Sequence, residues 1–410
     1  MTGGEVSLPA GGTPGENHGL ELNPFSHEFQ EDPYPLYRRL RDEAPCYRNE
    51  ALDFYALTRY ADVVEASQQP ALYSSAEGTT IERTDTRGIL PLMIFMDPPE
   101  HDVHRRLVSR AFTPRSVAEL EPFVRRTARG YLEPLKESGG GDAVEEFTAL
   151  LPMDVIMELL GVPGEDRNDL RRLMDAGLER QEEPPYIGAE AFAALAKALE
   201  YWQGLLEEKR RRPDSSLMSR LCQAEITDGG ERTRLTDAEI LGFCSLIGMA
   251  GTETLTKLLA SAVVLLYRFP DQWARLVDDP GRAPSAVEET LRYWAPSQYQ
   301  GRVLTEDVEL HGTRMPAGAR VLLVTGSANR DEREHEDPDR FDIDRPPHLA
   351  AGFGHGLHFC LGAALARLEG RVGLEEFSSA FARYEVDEAN ARRVHQSNVH
   401  GYASLPFSAA

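Results

Sequence analysis

Residues 353–362 read Phe353-Gly354-His355-Gly356-Leu357-His358-Phe359-Cys360-Leu361-Gly362. One cysteine stands among three glycines and directly before an amphipathic stretch with Leu361, Ala364, Leu365 and Leu368 on one face. A cysteine placed there meets the positive end of a helix and its free N–H groups, which stabilise a thiolate and lower its pKa. The glycines let backbone amides close on the sulfur and leave room for a flat cofactor. By itself the segment also suits an ordinary buried cysteine in a turn, or a nucleophile with His358 as its base.

Other segments hold residues of the same kind. Ala250-Gly251-Thr252-Glu253-Thr254 lies inside a long helical pattern. Glycine in mid-helix costs about 1 kcal/mol relative to alanine, so Gly248 and Gly251 need a reason, and close helix packing is one. Glu289 and Arg292 form an i,i+3 pair, ordinarily a surface contact worth a few tenths of a kcal/mol. His101 and Arg105 lie one helical turn apart, and Arg302 follows in Gln300-Gly301-Arg302-Val303. Alone, each of these is a solvated basic residue.

Taken together, the segments resemble the cytochrome P-450 family. The spacing F-G-x-G-x-H-x-C-x-G matches its haem-binding signature at every fixed position, and the resemblance spans residues 25–407. It implies haem b as cofactor, with Cys360 as thiolate ligand of the iron, a ligand that favours O–O cleavage. Phe353 would pack beside the sulfur, Gly354 and Gly362 would shape the loop, and His358 would bond a haem propionate. His101, Arg105 and Arg302 fall at the family's other propionate positions. Ala250 and Gly251 match the point where a helix widens over the distal face, and Glu253 with Thr254 fills the proton-relay pair. Glu289 and Arg292 match a buried structural triad, with Arg340 as its expected third member and Arg345 as the other choice.

These residues need elements to hold them. A helix is predicted over 33–42, a small hairpin over 47–58, a further helix over 59–69 and a long loop over 74–97. Helices follow through 268, broken near 139–141, 163–164, 182–188 and 228–232. Thr236 and Glu239 form a capping box that opens a pattern running from 237 to about 268, before Pro270. At ~1.5 Å per residue this helix is roughly 48 Å long and must cross the middle of the molecule. Strands are expected at 308–310 and 320–324, then a helix over 361–377. The fold class is mainly α with small β-sheets, a cytochrome P-450 fold by resemblance, with a loose tail at 1–19 and one domain over 20–410.

Composition narrows the setting. The chain has 410 residues, 41% hydrophobic and 27% charged, which suits a large globular core. Lys+Arg 44 against Asp+Glu 67 gives a net charge of −23, unfavourable for nucleic acid or an anionic membrane surface. Cys46, Cys222, Cys244 and Cys360 are scattered without CxxC spacing, so neither a zinc finger nor a disulfide framework is expected. The longest apolar run, 258–267, is about half a membrane span, and residues 1–19 lack the features of a signal peptide. A cytoplasmic protein without membrane anchor follows. Lysine supplies only four of the cations, the skew of a high-GC genome, and a bacterial source is expected.

The resemblance implies a haem-thiolate monooxygenase that inserts one atom of O2 into a C–H bond, or into an alkene as an epoxide. No reductase domain is expected, so electrons would come from an acidic ferredoxin and its NAD(P)H-dependent reductase. The ferredoxin would dock on the cysteine side, where His104, Arg105, Arg106, Arg110, Arg115, Arg367 and Arg371 cluster, with Arg106 and Arg110 on one face. Substrate walls fall at 74–96, 178–192, 297–303 and 394–402, including Ile89, Leu92, Ile94, Phe95, Gln298, Tyr299 and Gln300. A lipophilic secondary metabolite is expected: a polyketide or macrolide, a terpenoid or steroid, or a fatty acyl chain. Two rivals stand beside this: a peroxide-driven peroxygenase acting on fatty acids, and a haem-binding carrier or recruitment protein without oxygenase activity. A cysteine hydrolase is a remote third.

Overall fold

The computed structural model describes residues 19–81, 90–178, 189–228, 231–346, 350–396 and 398–410. Nearly all of the expected tail, and Ile89 among the expected substrate residues, lie outside them.

The central helix spans Asp237–Arg268, 32 residues. Its capping box forms as expected: Thr236 Oγ1 accepts from the Glu239 N–H at 3.3 Å, and Glu239 Oε2 accepts from the Thr236 N–H at 2.6 Å. Leu255, Leu258, Leu259, Ala262, Val263 and Leu266 are all buried. A helix that is apolar all round needs neighbours all round. Here they are Leu150–Leu160, Ala189–Arg211, Ala283–Tyr293 and Ala363–Ala380. Among the described residues it is the one helix long and apolar enough to cross a membrane, and most of its apolar window is buried inside the protein.

The mid-helix glycines are explained by packing. A Cβ on Gly251 would sit 3.0 Å from Ile156 Cδ1 of the helix Leu150–Leu160, and one on Gly248 would sit 2.8 Å from Met174 Cε. Alanine at either position would push its neighbour away.

Five strands form a sheet that carries part of the site. Cys46–Asn49 and Phe54–Leu57 make the expected hairpin, with Cys46 opposite Leu57. Arg320–Leu323 joins Phe54–Leu57 in parallel, Gln300–Leu304 runs antiparallel to it, and Tyr73–Ser74 closes the edge. Every residue of Arg320–Leu323 is buried, so an arginine inside the strand needs partners. Arg320 finds them in the carbonyls of Gly78 at 3.0 Å and Glu77 at 2.8 Å. A second sheet pairs Tyr384–Val386, Pro406–Ala409 and Gly140–Asp142.

One expected break is a strand pair instead. Glu225–Asp228 runs antiparallel to Glu231–Arg234, with Glu225 opposite Arg234. Ile226 is its buried apolar anchor, and a mostly polar ribbon has no alternation for a sequence reading to find. The stretch after 393 is pinned to the rest of the fold: the Gln298 N–H donates to Asn398 O at 2.8 Å and the His400 N–H to Pro296 O at 2.8 Å. This fold is mainly α with small sheets, as the helical patterning implied.

Candidate active site

The cysteine loop is built from tight turns. Short 3-10 turns at Ala351–Phe353 and Gly356–His358 lead to Cys360, whose N–H donates to the Phe353 carbonyl at 2.8 Å. Gly356 has φ 68 and lies against the Ser67 carbonyl oxygen so closely that no Cβ fits. The helix Ala363–Ala380 starts just beyond. Around the sulfur, the N–H groups of Gly362 and Ala363 and the charges of Arg105 and Arg367 favour a thiolate, but burial outweighs them and the thiol is pushed up. The helix terminus alone therefore does not deliver the low thiol pKa expected of it. A coordinated metal cation would deprotonate a thiol in this setting. Phe353 packs at the loop's edge, with the Arg367 guanidinium 4.7 Å over its ring.

Four basic side chains converge beside this loop. The His101 and His358 rings are 4.5 Å apart between centroids, and Arg105 Nη2 donates to the Phe359 carbonyl at 2.8 Å. Arg302, on the strand Gln300–Leu304, is buried and donates to the Gly301 carbonyl at 2.7 Å. Their crowding shows in the acid–base balance. Burial, then Arg302, His101 and Arg105, hold His358 down to about 3, and burial holds Arg302 down to about 10. Asp97 pulls Arg302 the other way, but its carboxylate accepts from Ser74 Oγ and the Ser75 N–H. The buried His101 Nε2 has no hydrogen-bond partner. A partly buried group of bases with an orphaned nitrogen suits a ligand that brings carboxylates. Haem, with two propionates, has the chemistry these residues fit.

On the central helix the two relay candidates rest on local partners. The Thr254 hydroxyl donates back to the Ala250 carbonyl at 2.8 Å, as Thr252 does to Gly248 and Thr256 to Thr252. The helix is α-helical through Ala250 and Gly251, so the expected widening is not seen. The threonines' back-bonds satisfy their hydroxyls without it. Glu253 Oε1 accepts from Gln396 Nε2 at 2.5 Å.

The Glu289–Arg292 pair is buried, not superficial. Both side chains are 3% exposed, and two parallel bonds of 2.8 Å join them. Arg292 also donates to the carbonyls of Asn329, Pro338 and Arg340. The third member is Arg345, whose Nε lies 3.3 Å from Glu289. Arg340, the expected third member, is 59% exposed and turns its guanidinium to Asp342 at 3.1 Å. Only its carbonyl belongs to the network.

Two of the expected substrate contacts fall in the core. Gln298 is buried, donating to the Ala295 carbonyl at 2.6 Å and accepting from the Tyr37 hydroxyl at 3.1 Å. Tyr299 is 1% exposed in a cluster with Tyr37, Phe54 and Leu322. In strand-rich segments side chains alternate faces, and sequence alone did not say which face these two take. Ile94 is half-buried in the turn Met93–Phe95, as are Leu246 and Ile247 on the central helix, which a sequence reading passes over as core. Gln396 falls within the expected wall segment 394–402, but its contact to Glu253, 143 positions away in the chain, gave no signal.

The basic patch on the cysteine side is largely matched by acids. Arg367 pairs with Glu288 at 2.5 Å, Arg371 with Glu121 at 2.6 Å, and Arg115 with Glu119 at 3.2 Å. His104 is buried against Glu239 at 2.8 Å. Arg106 and Arg110 are exposed, and Arg110 donates to the Glu225 carbonyl.

Comparison with known proteins agrees with this geometry. The family model described as Cytochrome P450 matches residues 283–409. Cytochrome P450 123 of Mycobacterium tuberculosis is 46% identical over 393 residues, covering 95% of this chain and 97% of the relative. A Vitamin D(3) 25-hydroxylase of Pseudonocardia autotrophica is 41% identical over 375 residues, 90% of each chain. The crystal structure of CYP109E1 from Bacillus megaterium in complex with testosterone superposes with a TM-score of 0.83 at 33% identity, covering 92% of this chain and 99% of that one. Proteins of this family bind haem b. The chain belongs to the cytochrome P450 family of haem-thiolate monooxygenases.

Proposed function

We propose that this monooxygenase hydroxylates a lipophilic molecule of steroid or terpenoid size, with electrons from an acidic ferredoxin and an NAD(P)H-dependent reductase in the cytoplasm. Residues 20–410 act as one catalytic unit. The observation that carries the site assignment is the cluster of His101, Arg105, Arg302 and His358, with its orphaned His101 Nε2, beside the Cys360 loop. In this reading Cys360 Sγ holds the iron, and His101, Arg105, Arg302 and His358 hold the propionates. Bound haem supplies reductive activation of O2, one atom going to the substrate and the other to water. Thr254 presents its hydroxyl to the oxygen side of the pocket once it leaves the Ala250 carbonyl, and Glu253 brings protons from solvent to that hydroxyl.

The steroid-sized substrate is supported by the half-buried apolar side chains of Ile94, Leu246 and Ile247, and by likeness to a vitamin D hydroxylase and a testosterone-bound relative. Titration of the haem-loaded ferric protein with steroids, macrolides and fatty acids tests it. A low-spin to high-spin Soret shift is expected with steroids at micromolar concentration. A shift confined to fatty acids, with turnover driven by hydrogen peroxide and indifferent to NAD(P)H and redox proteins, would replace this reading with that of a peroxygenase.

A further inference from the structure

We infer that Gln396 is a positioning residue for the Glu253 carboxylate, holding it more firmly while ionised than when it carries a proton. The inference rests on the relay role of Glu253 proposed above. Gln396 Nε2 donates to Glu253 Oε1 at 2.5 Å. A carboxylate only accepts, so the amide nitrogen must face it.

The amide is presented from a fixed backbone. The Gln396 carbonyl accepts from Gln30 Nε2 at 2.5 Å, and Gln30 is buried, its other amide contact being to the Pro24 carbonyl at 2.6 Å. On either side, the Val394 N–H donates to Gly401 O at 3.0 Å and Asn398 O accepts from the Gln298 N–H at 2.8 Å. The charged neighbours along the chain are Lys257, one turn on from Glu253 in the central helix, and Arg393 and His395 beside Gln396, both of which face Glu31 of the helix His27–Glu31.

A neutral amide is the notable choice of partner. Lysine or arginine here would hold the carboxylate ionised by charge. An amide gives a charge-assisted bond to the carboxylate only, and that bond weakens once the acid is neutral. A proton from solvent on Glu253 Oε1 would thus loosen the hold of Gln396 on the side chain. The same proton, passed to the Thr254 hydroxyl as that hydroxyl gives up its own, returns the carboxylate to Gln396. Thr254 itself is parked on the Ala250 carbonyl, so both members of the pair rest on local partners until called upon.

The test uses haem-loaded protein carrying Gln396→Met, which keeps the length and removes the donor, with Gln396→Asn as the partial rescue and Glu253→Gln as reference. Without turnover, the infrared carboxylate band assigned to Glu253 by difference with Glu253→Gln is expected to shift in Gln396→Met and to shift back partly in Gln396→Asn. During turnover, Gln396→Met is expected to raise severalfold the share of reducing equivalents lost as hydrogen peroxide, and to change the solvent deuterium isotope effect. An unmoved band and unmoved peroxide share in Gln396→Met, with Glu253→Gln altering both peroxide share and isotope effect, would overturn the role of Gln396 alone. If Glu253→Gln leaves coupling and isotope effect as in wild type, the relay reading falls, and this inference with it.

Discussion

The two sides of the central helix are built on different principles. Toward the cysteine, the Glu289 carboxylate meets Arg292, Arg345 and the Asp342 N–H at once, and the Cys360 main-chain N–H is tied to the Phe353 carbonyl. Toward Glu253 and Thr254, the threonine hydroxyl donates to a helix carbonyl and the carboxylate accepts from a neutral amide. Multiple bonds fix a ligand set, whereas single bonds let a proton carrier move. Rigid on one face and releasable on the other is what a thiolate-ligated haem enzyme needs.

The largest expected effect lies on the rigid side. Cys360→Ser should abolish monooxygenase turnover and the red-shifted Soret band of the reduced CO complex, because a neutral hydroxyl donates far less charge than a thiolate. Optical spectra of haem-loaded protein check this. A thiolate-type CO spectrum in the variant would remove Cys360 from the iron.

Next comes the triad, where the two candidate arginines part company. Glu289→Ala should cost about 3–5 kcal/mol, since it leaves Arg292 charged and buried. Arg345→Ala should cost about 1–2 kcal/mol, and Arg340→Ala should stay within about 0.5 kcal/mol because its guanidinium is mostly in solvent. Denaturant unfolding of the three variants reads the order directly. Equal losses at Arg340 and Arg345 would contradict the geometry.

What could be read from the chain follows the same division. Cys360, His358, Glu289, Arg292, His101 and Arg105 act through local turns or one helix face, so their spacing is constrained and visible. The capping box of Thr236 and Glu239 is local too, and it set the start of the central helix correctly. Gln298, Tyr299 and Arg340 were misplaced because their environments depend on which face of a strand or loop packs inward, and no periodicity reports that. Arg345 was open as the other choice for the triad, and only the assembled chain decides for it, as only the assembled chain brings Gln396 to Glu253.

A pH experiment sharpens the comparison on the less rigid side. Burial, helped by Arg393, holds His400 down to about 3, against about 6.5 in an unfolded chain. Between those values the unfolded chain binds a proton that the folded one refuses. Stability is therefore whole at neutral pH and lost as pH falls through 6.5 toward 3. From pH 7 to pH 5 the contribution is about 2 kcal/mol. Unfolding of wild type and His400→Phe at both values should show the steeper loss in wild type, whatever the variant's absolute stability. Parallel losses would mean that other groups carry the acid sensitivity.

The smallest effect is expected at the docking surface. Arg115, Arg367 and Arg371 each face a carboxylate there, and Arg106 and Arg110 are the exposed side chains chosen to test whether local charge steers an acidic ferredoxin. Two exposed charges act mainly on the encounter rate and little on the bound complex. Reversal of both to glutamate should slow the first electron transfer severalfold at low ionic strength. The difference should shrink near 0.15 M salt, where the Debye length is about 8 Å. Substrate affinity should not change, because both side chains are exposed on the helix Glu100–Ala111. If the double variant is reduced as fast as wild type at low salt, these two arginines do not steer the partner and docking lies elsewhere.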